Sequence, residues 1–368
     1  MAASSAKLRR RQVLASGLGA LSLLAAPNVV RAQARVVRMS SVWGRGFPIV
    51  GPSAQRLAER LTAITDGALR VELFAAGELG SPGEAHARAG AGEVEMYHGV
   101  EYFWSAKNPA FYLFSGVPFG LTGLELLGWL TGSGAEHWDA IQAPFNIKPF
   151  SAGMLAGGLG VWSNKRLDSL DDFDGLTIRS SGLARTLLKS LGADARPVSF
   201  ARLASALSLG ALDATEWFGP WADPQGEITE ATKYLYGPPV LRPALGISVG
   251  LNLPFWFSLT EPQRLAFRSV FAAESHRMLL STHQENARLL GAMQATGQMR
   301  KVRNFSPELL TDLGRQSGQV LRQTMDGSDE ATAILNDYLS FRAQSYREVL
   351  NGSSGFMKSR ELPFPFAQ

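Results

Sequence analysis

The 368-residue chain has no cysteine. That absence excludes disulfides, thiol nucleophiles and thiolate metal sites together. Its five histidines, His86, His98, His137, His276 and His283, are scattered, and none pair at metal-ligand spacing. There is no Gly-x-Ser-x-Gly elbow and no phosphate-cradling P-loop. The glycines of GLGALS (17–22) and GGLGVW (157–162) do not make the dinucleotide fingerprint. A catalytic set assembled from distant residues remains open. No apolar run is long enough to span a bilayer. Charged residues make up 18% and hydrophobic residues 45%, the balance of a globular chain rather than a disordered one. The length suggests about two domains.

The first 32 residues read as a secretory signal peptide: a basic start, an apolar stretch from about Val13 to Ala26, and small residues around Ala32 and Ala34. Arg10-Arg11-Gln12-Val13-Leu14 fits a twin-arginine signal; the alternative is a Sec signal with one extra arginine. Lys7, Arg9, Arg10, Arg11 and Arg31 lie in this segment and no acid does, so its removal takes the formal charge from +4 to −1. No basic field is left to argue for nucleic acid or anionic lipid. The expected location is a bacterial periplasm.

Beyond the signal, RVVRMSSVW (35–43) and LRVELF (69–74) read as strands. Between them Leu57, Leu61 and Ile64 fall at helical spacing, with Ser53 as N-cap and Gly67 as stop. This β-α-β order predicts a parallel pair. A second α/β unit is expected from near residue 150: strands at about 153–162, 176–178, 195–198 and 211–217, with helices at 183–190 and 201–208. Pro-rich YGPPVLRP (236–243) suits a crossing between domains, and from about Glu261 to Tyr346 the pattern is mostly helical.

Three stretches carry candidate chemistry. In GLTIRSSG (175–182) Arg179 stands where a strand hands over to a helix. Free backbone N–H groups and the helix dipole there favour an anion, and a guanidinium adds a planar fork for a carboxylate. The plainer alternative is a solvated arginine at a strand end. ALDATEWFGPWAD (211–223) sets Trp217, Phe218 and Trp221 beside Glu216, which suits either a small-molecule wall or an aromatic core. Tyr102, Phe103 and Trp104 form a third aromatic group.

Taken in order, AAGELGSPGEAHARAGAGEVEMYHG (75–99), YFWSAKNPAFYLFSGVPFGL (102–121), GGLGVWSNKRLDSLDDFDGLTIRSSG (157–182), ALSLGALDATEWFGPWAD (206–223) and NLPFWFSL (252–259) resemble substrate-binding proteins of tripartite ATP-independent periplasmic (TRAP) transporters. The likeness is to the DctP-type, mannitol/chloroaromatic or 2-oxo acid branch. It implies an α/β, periplasmic binding protein-like fold: two α/β domains with hinge strands, a long connecting helix and a helical C-terminus. One domain would take residues 33–152 and 240–285, the other 153–239, with C-terminal helices over 286–368. The resemblance implies a receptor without catalysis or cofactor. It would capture a 2-oxo acid, hydroxy acid or dicarboxylate by hinge closure and deliver it to the small and large membrane subunits of a permease. Some relatives dimerise by exchanging a C-terminal helix. The family's carboxylate-gripping arginine falls on Arg179, its tyrosine on Tyr102, its Glu-Trp pair on Glu216 and Trp217 with Phe218 next, and its hinge asparagine on Asn252, with Trp256 nearby.

Two departures stand out. Metal-binding relatives usually carry glutamine where this chain has Gly158, and glutamate where Val240-Leu241-Arg242-Pro243 has Arg242. An arginine has no lone pair to give a cation, so no metal is expected. Arg242 would replace the metal's charge; alternatively it pairs with Glu216 or faces solvent. An exported enzyme acting on a small carboxylate, or a ligand sensor not tied to transport, are the other functional readings.

Overall fold

The computed structural model describes residues 34–223 and 226–362; the expected signal peptide lies outside them. The strands are β1 (Arg35–Ser41), β2 (Leu69–Phe74), β3 (Met96–Gly99), β4 (Ile147–Ala156), β5 (Val161–Ser163), β6 (Thr177–Arg179), β7 (Asp194–Arg196), β8 (Ala214–Glu216), β9 (Tyr234–Gly237), β10 (Ala244–Asn252) and β11 (Val302–Asn304). They make two mixed sheets, ordered β2-β1-β3-β10-β4 and β11-β9-β5-β8-β6-β7. Each sheet with its helices is one lobe.

In the first lobe β1 and β2 run parallel, Arg35 opposite Leu69, around the helix Val50–Ile64, as the β-α-β pattern predicts. β10 lies between β3 and β4 and is buried at all nine positions. That explains its nearly unbroken apolar sequence: a central strand covered on both faces has no solvent side on which to place polar residues. Ser53 is not the cap of the first helix. The helix starts earlier, at Val50, and the buried Ser53 hydroxyl instead donates to Glu274 Oε1 at 2.9 Å.

The expected single strand over 153–162 is two strands in different sheets. β4 ends at Ala156 in the first sheet, and β5 begins at Val161 in the second. The intervening Gly157-Gly158-Leu159-Gly160 is one crossing between lobes. The Pro-rich segment after β9 is the other, and the two run side by side: Gly157 N donates to Pro243 O at 2.7 Å and Gly160 N to Tyr236 O at 2.9 Å. The strand expected over 211–217 is only Ala214–Glu216; Leu212 N bonds back to Ala206 O of the preceding helix, and Trp217 N bonds to Gly160 O outside the ladder.

The helix Glu261–Ala295 ties the lobes together. It opens with a capping box, Thr260 with Gln263, and Pro262 in its first turn. Its first half packs on the first lobe, where Glu274 is bound by Arg56 and Ser53 and the Ser275 hydroxyl meets Ser151 at 3.0 Å. Its second half reaches the other lobe, where Met293 joins the core of Trp162 and Trp217. Ser306 and Ser328 cap the helices Pro307–Met325 and Asp329–Asn351. The second packs back on the first lobe, with Leu121 N donating to Tyr338 Oη at 2.9 Å.

A buried polar chain crosses the first lobe. Glu101 accepts from Tyr97 Oη at 2.8 Å and Gln142 Nε2 at 2.6 Å, and Gln142 Oε1 meets His86 Nε2 at 2.8 Å. Burial pushes His86 down to about 4 and His98 to about 3, and pushes the Glu101 carboxyl up. Below pH ~6.5 the two histidines gain protons in the unfolded chain but not in the folded one, which destabilises the fold. Glu101, protonated only in the folded chain above its ordinary range, offsets at most one of these two protons. Stability is therefore expected to fall as the pH drops from about 6.5 to 4.5, by at most about 2.7 kcal/mol per pH unit from these groups, the value for two protons with no offset. Urea midpoints across that range measure it, and a midpoint that rises on acidification contradicts the assignment.

Candidate functional site

β6 is a short buried strand that delivers Arg179 to the junction between the lobes. Three residues later the helix Gly182–Ser190 begins, and Gly182 takes φ +61°, a left-handed conformation that glycine adopts without strain. The glycine also leaves room for the Tyr102 ring, whose atoms would lie 3.3 Å from an added Cβ. Ser181 is the N-cap but makes no side-chain cap bond. Its hydroxyl instead receives Tyr102 Oη and Arg242 Nη2, each at 3.2 Å.

Glu216, the last residue of β8, is the centre of the cluster. Its side chain is fully buried, and those of Arg179 and Arg242 are 11% and 4% exposed. Arg242 turns the side-on edge of its guanidinium to the carboxylate: Nε donates to Oε1 at 2.5 Å and Nη2 to Oε2 at 3.2 Å. Nη2 also donates to Ser181 O at 2.7 Å, and Ser180 Oγ donates to Glu216 Oε2 at 3.3 Å. Thus the pairing of Arg242 with Glu216, one of the alternatives raised by the sequence, is what the structure contains.

Arg179 is placed differently. Its Nη1 donates to the Glu216 main-chain oxygen at 3.0 Å and stands 4.0 Å from the carboxylate. Its guanidinium lies over the Trp217 ring, 4.6 Å from the centroid. Nε is buried without a partner, and among the described residues Nη2 has none either. The edge formed by Nε and Nη2, which can hold a carboxylate with two hydrogen bonds, is therefore open. The electrostatics agree. Burial, with a smaller push from Arg242, pulls the Arg179 guanidinium below its ordinary value despite Glu216. Burial opposes the charge of Arg242 too, but the Glu216 carboxylate outweighs it and holds Arg242 above the ordinary value. One arginine has its counter-ion and the other lacks part of one.

Aromatic rings enclose these charges. Trp217 is buried and stacks on Phe200 at 5.5 Å, Phe218 packs beside Trp217, and Phe47 of the first lobe meets Trp217 at 5.9 Å. Tyr102 comes from a 3-10 turn of the first lobe, Glu101–Trp104, and its ring lies 5.5 Å from the Arg242 guanidinium. Of its neighbours, Trp104 is a core residue and Phe103 is exposed. The structure thus brings together Arg179, Tyr102, Glu216, Trp217, Phe218 and Arg242.

Gly158 lies at the edge of this group, facing Asn286 of the long helix, whose Nδ2 would be 2.9 Å from an added Cβ. Asn252 is not in the group. It stands at the far end of β10, where Oδ1 caps the helix Leu253–Ser258 by accepting from Phe255 N at 3.0 Å and Nδ2 donates to Ala89 O at 2.8 Å. Trp256 packs with Phe150 in the first-lobe core. Sequence reasoning did not single out Phe47, Phe200 or Asn286. Asn286 Oδ1 accepts from Trp221 N at 2.9 Å and so fixes the turn after Glu216-Trp217.

Two mixed α/β sheets joined by two crossings and spanned by one long helix are the architecture of a two-lobed solute-binding protein. Residues 39–327 match the family described as bacterial extracellular solute-binding protein, family 7 (DctP), and the chain belongs to that family. It is accordingly a solute receptor rather than an enzyme, and an extracytoplasmic family agrees with the periplasmic location expected from the sequence. A monocarboxylate 2-oxoacid-binding periplasmic protein of Nostoc sp. is 28% identical over 311 residues, 84% of each chain. The fold is shared with a TRAP transporter solute-binding protein of Bordetella bronchiseptica, solved with copurified calcium and picolinate (TM-score 0.82, 24% identity, 89% of this chain and 97% of that one). It is also shared with a TRAP periplasmic solute-binding protein of Pseudoalteromonas atlantica, solved with sodium and pyruvate (TM-score 0.82, 24% identity, 89% and 99%).

Replacing Glu216 by Gln would leave two buried guanidinium groups without a carboxylate. Removing one partner of a buried pair costs about 3–5 kcal/mol. Urea unfolding of Glu216→Gln is expected to show a loss of that size; a loss below about 1 kcal/mol would mean that solvent already compensates the pair.

Proposed function

We propose that this protein captures a small monocarboxylate, of the 2-oxo or hydroxy acid class, between its lobes and delivers it to the small and large membrane subunits of a TRAP permease. The observation that carries the reading is the unpaired Nε–Nη2 edge of buried Arg179. A buried charged donor without an acceptor is costly, and a bound carboxylate relieves that cost. The charge count favours one carboxylate over two. Arg179 and Arg242 against Glu216 leave a single net positive charge, which a monoanion neutralises.

The rest of the site serves the same ligand. Tyr102 closes from the first lobe onto Ser181 and Gly182, so that its hydroxyl sits beside the two arginines. Trp217 and Phe218 supply an apolar wall that excludes water and strengthens the ion pair. The crossings at 157–160 and 237–243 serve as the hinges between the lobes. The similar Nostoc protein, whose name describes a monocarboxylate 2-oxoacid binder, supports the choice of class. Exposed Tyr346, Leu350, Phe356 and Met357 on the C-terminal helices give a homodimer an apolar surface to use.

Arg179→Ala tests the clamp. Glu216 keeps Arg242 and Ser180, so the fold should survive. Losing a buried charge-assisted pair should weaken acid binding at least about a hundredfold. The measurement is a thermal-shift screen of organic acids, sugars and amines on the mature wild type and variant. Acids alone should raise the wild-type melting temperature, and none should raise that of the variant. Unchanged acid binding by Arg179→Ala, or shifts from sugars and amines only, would defeat the proposal.

A further inference from the structure

A metal ion accompanies the acid in the Bordetella and Pseudoalteromonas proteins, calcium with picolinate in one and sodium with pyruvate in the other. The residues of this chain do not fit such an ion. A hard cation needs several oxygens with free lone pairs. Glu216 is the sole carboxylate of the cluster, and both of its oxygens already accept hydrogen bonds, Oε1 from Arg242 and Oε2 from Arg242 and Ser180. Its main-chain oxygen is taken as well, by Arg179 Nη1 and by Thr215 Oγ1. Among the described residues no group of three His, Cys, Asp or Glu side chains is placed to hold a metal.

Charge and space point the same way. Two guanidinium groups already flank the carboxylate. A cation placed about 4 Å from either one would meet a repulsion of roughly 4 kcal/mol per unit charge at the effective dielectric near a protein surface. A guanidinium has no lone pair with which to compensate. At position 158 a side-chain oxygen would have to enter past Asn286, which stands 2.9 Å from the place of a Cβ and is held by Trp221 N.

Resting on the receptor reading above, we propose that Arg242 takes the place of the metal ion, so that this protein binds its monocarboxylate without a cation. Arg242 is suited to the task by how it is held. Its side-on edge is locked on Glu216, and the remaining nitrogen, Nη1, has no hydrogen-bond partner among the described residues. The guanidinium is 5.5 Å from the Tyr102 ring and 5.8 Å from that of Phe218, inside the same enclosure as the open edge of Arg179. Arg179 holds the carboxylate, and Arg242 Nη1 donates to the ligand's second oxygen, the 2-oxo or 2-hydroxy oxygen. Lysine would not substitute, because a point charge cannot hold Glu216 through two nitrogens and still offer a third.

The test is calorimetric titration of the EDTA-treated mature protein with pyruvate and with picolinate, in choline buffer and again with excess Ca²⁺ or Na⁺. The expected result is a dissociation constant unchanged within about twofold by either cation, and no heat when Ca²⁺ is added alone. Binding that appears only with a cation, or Ca²⁺ binding without acid, overturns the proposal and leaves the receptor reading standing. Failure of both acids in every buffer overturns the two together. The variant Arg242→Glu should bind pyruvate at least about tenfold more weakly without a cation. Wild-type affinity in that variant without a cation would show that Arg242 has no part in binding. Should the variant fail to fold, the wild-type titration decides alone.

Discussion

The ion pair between Glu216 and Arg242 sets the conditions for the rest of the site. A carboxylate with no exposure is tolerable only if its lone pairs are filled, and Arg242 fills them from the crossing between the lobes. In doing so it consumes the charge that would otherwise serve Arg179. Arg179 is then held in place by a neutral main-chain oxygen and a tryptophan face, neither of which neutralises it. A buried cation kept partly uncompensated by its own surroundings is what the proposed anion clamp requires. The energetic cost of that arrangement is met by the dense apolar packing of Trp217, Phe200 and Phe47 around it.

The fold places these groups by bringing three independent chain segments to one junction. The second sheet brings Arg179 and Glu216 from adjacent parallel strands, β6 and β8. The two crossings, bonded to each other through Gly157 and Pro243, carry Arg242. The first lobe contributes Tyr102 from a turn anchored by Ser115, whose hydroxyl accepts from Tyr102 N at 2.9 Å. The long helix spans the junction and braces the turn after Trp217 through Asn286. A change in the angle between the lobes would move Tyr102 relative to Arg179 and Glu216, which share the second sheet. That separation of a fixed clamp from a movable cover is what a capture-and-release receptor requires.

Much of this was legible in the sequence, and the reasons differ from residue to residue. Arg179 could be found because a strand end meeting a helix start is a local pattern with a local physical meaning. The β-α-β opening was readable for the same reason. Gly157–Gly160 was not, because a short extended crossing between two sheets has the same apolar, glycine-tolerant look as a strand. Resemblance alone points Asn252 to the site, yet its own neighbours point elsewhere. An asparagine two residues before Pro254 is a helix N-cap signal, and capping is what its side chain does. The alternatives for Arg242 could not be separated from sequence at all. Whether an arginine faces solvent, a glutamate or a ligand depends on residues 26 and 61 positions away, Glu216 and Ser181. Asn286 gave no local signal, since the long helix packs on different partners along its length and shows no single apolar face.

A crystal structure of the mature protein with pyruvate examines the open edge of Arg179 directly. The two carboxylate oxygens should lie within about 3 Å of Arg179 Nε and Nη2, with Arg242 still on Glu216 and no metal density between them. A carboxylate held by Arg242 instead, or by a cation that has displaced Arg242 from Glu216, would contradict the proposed clamp.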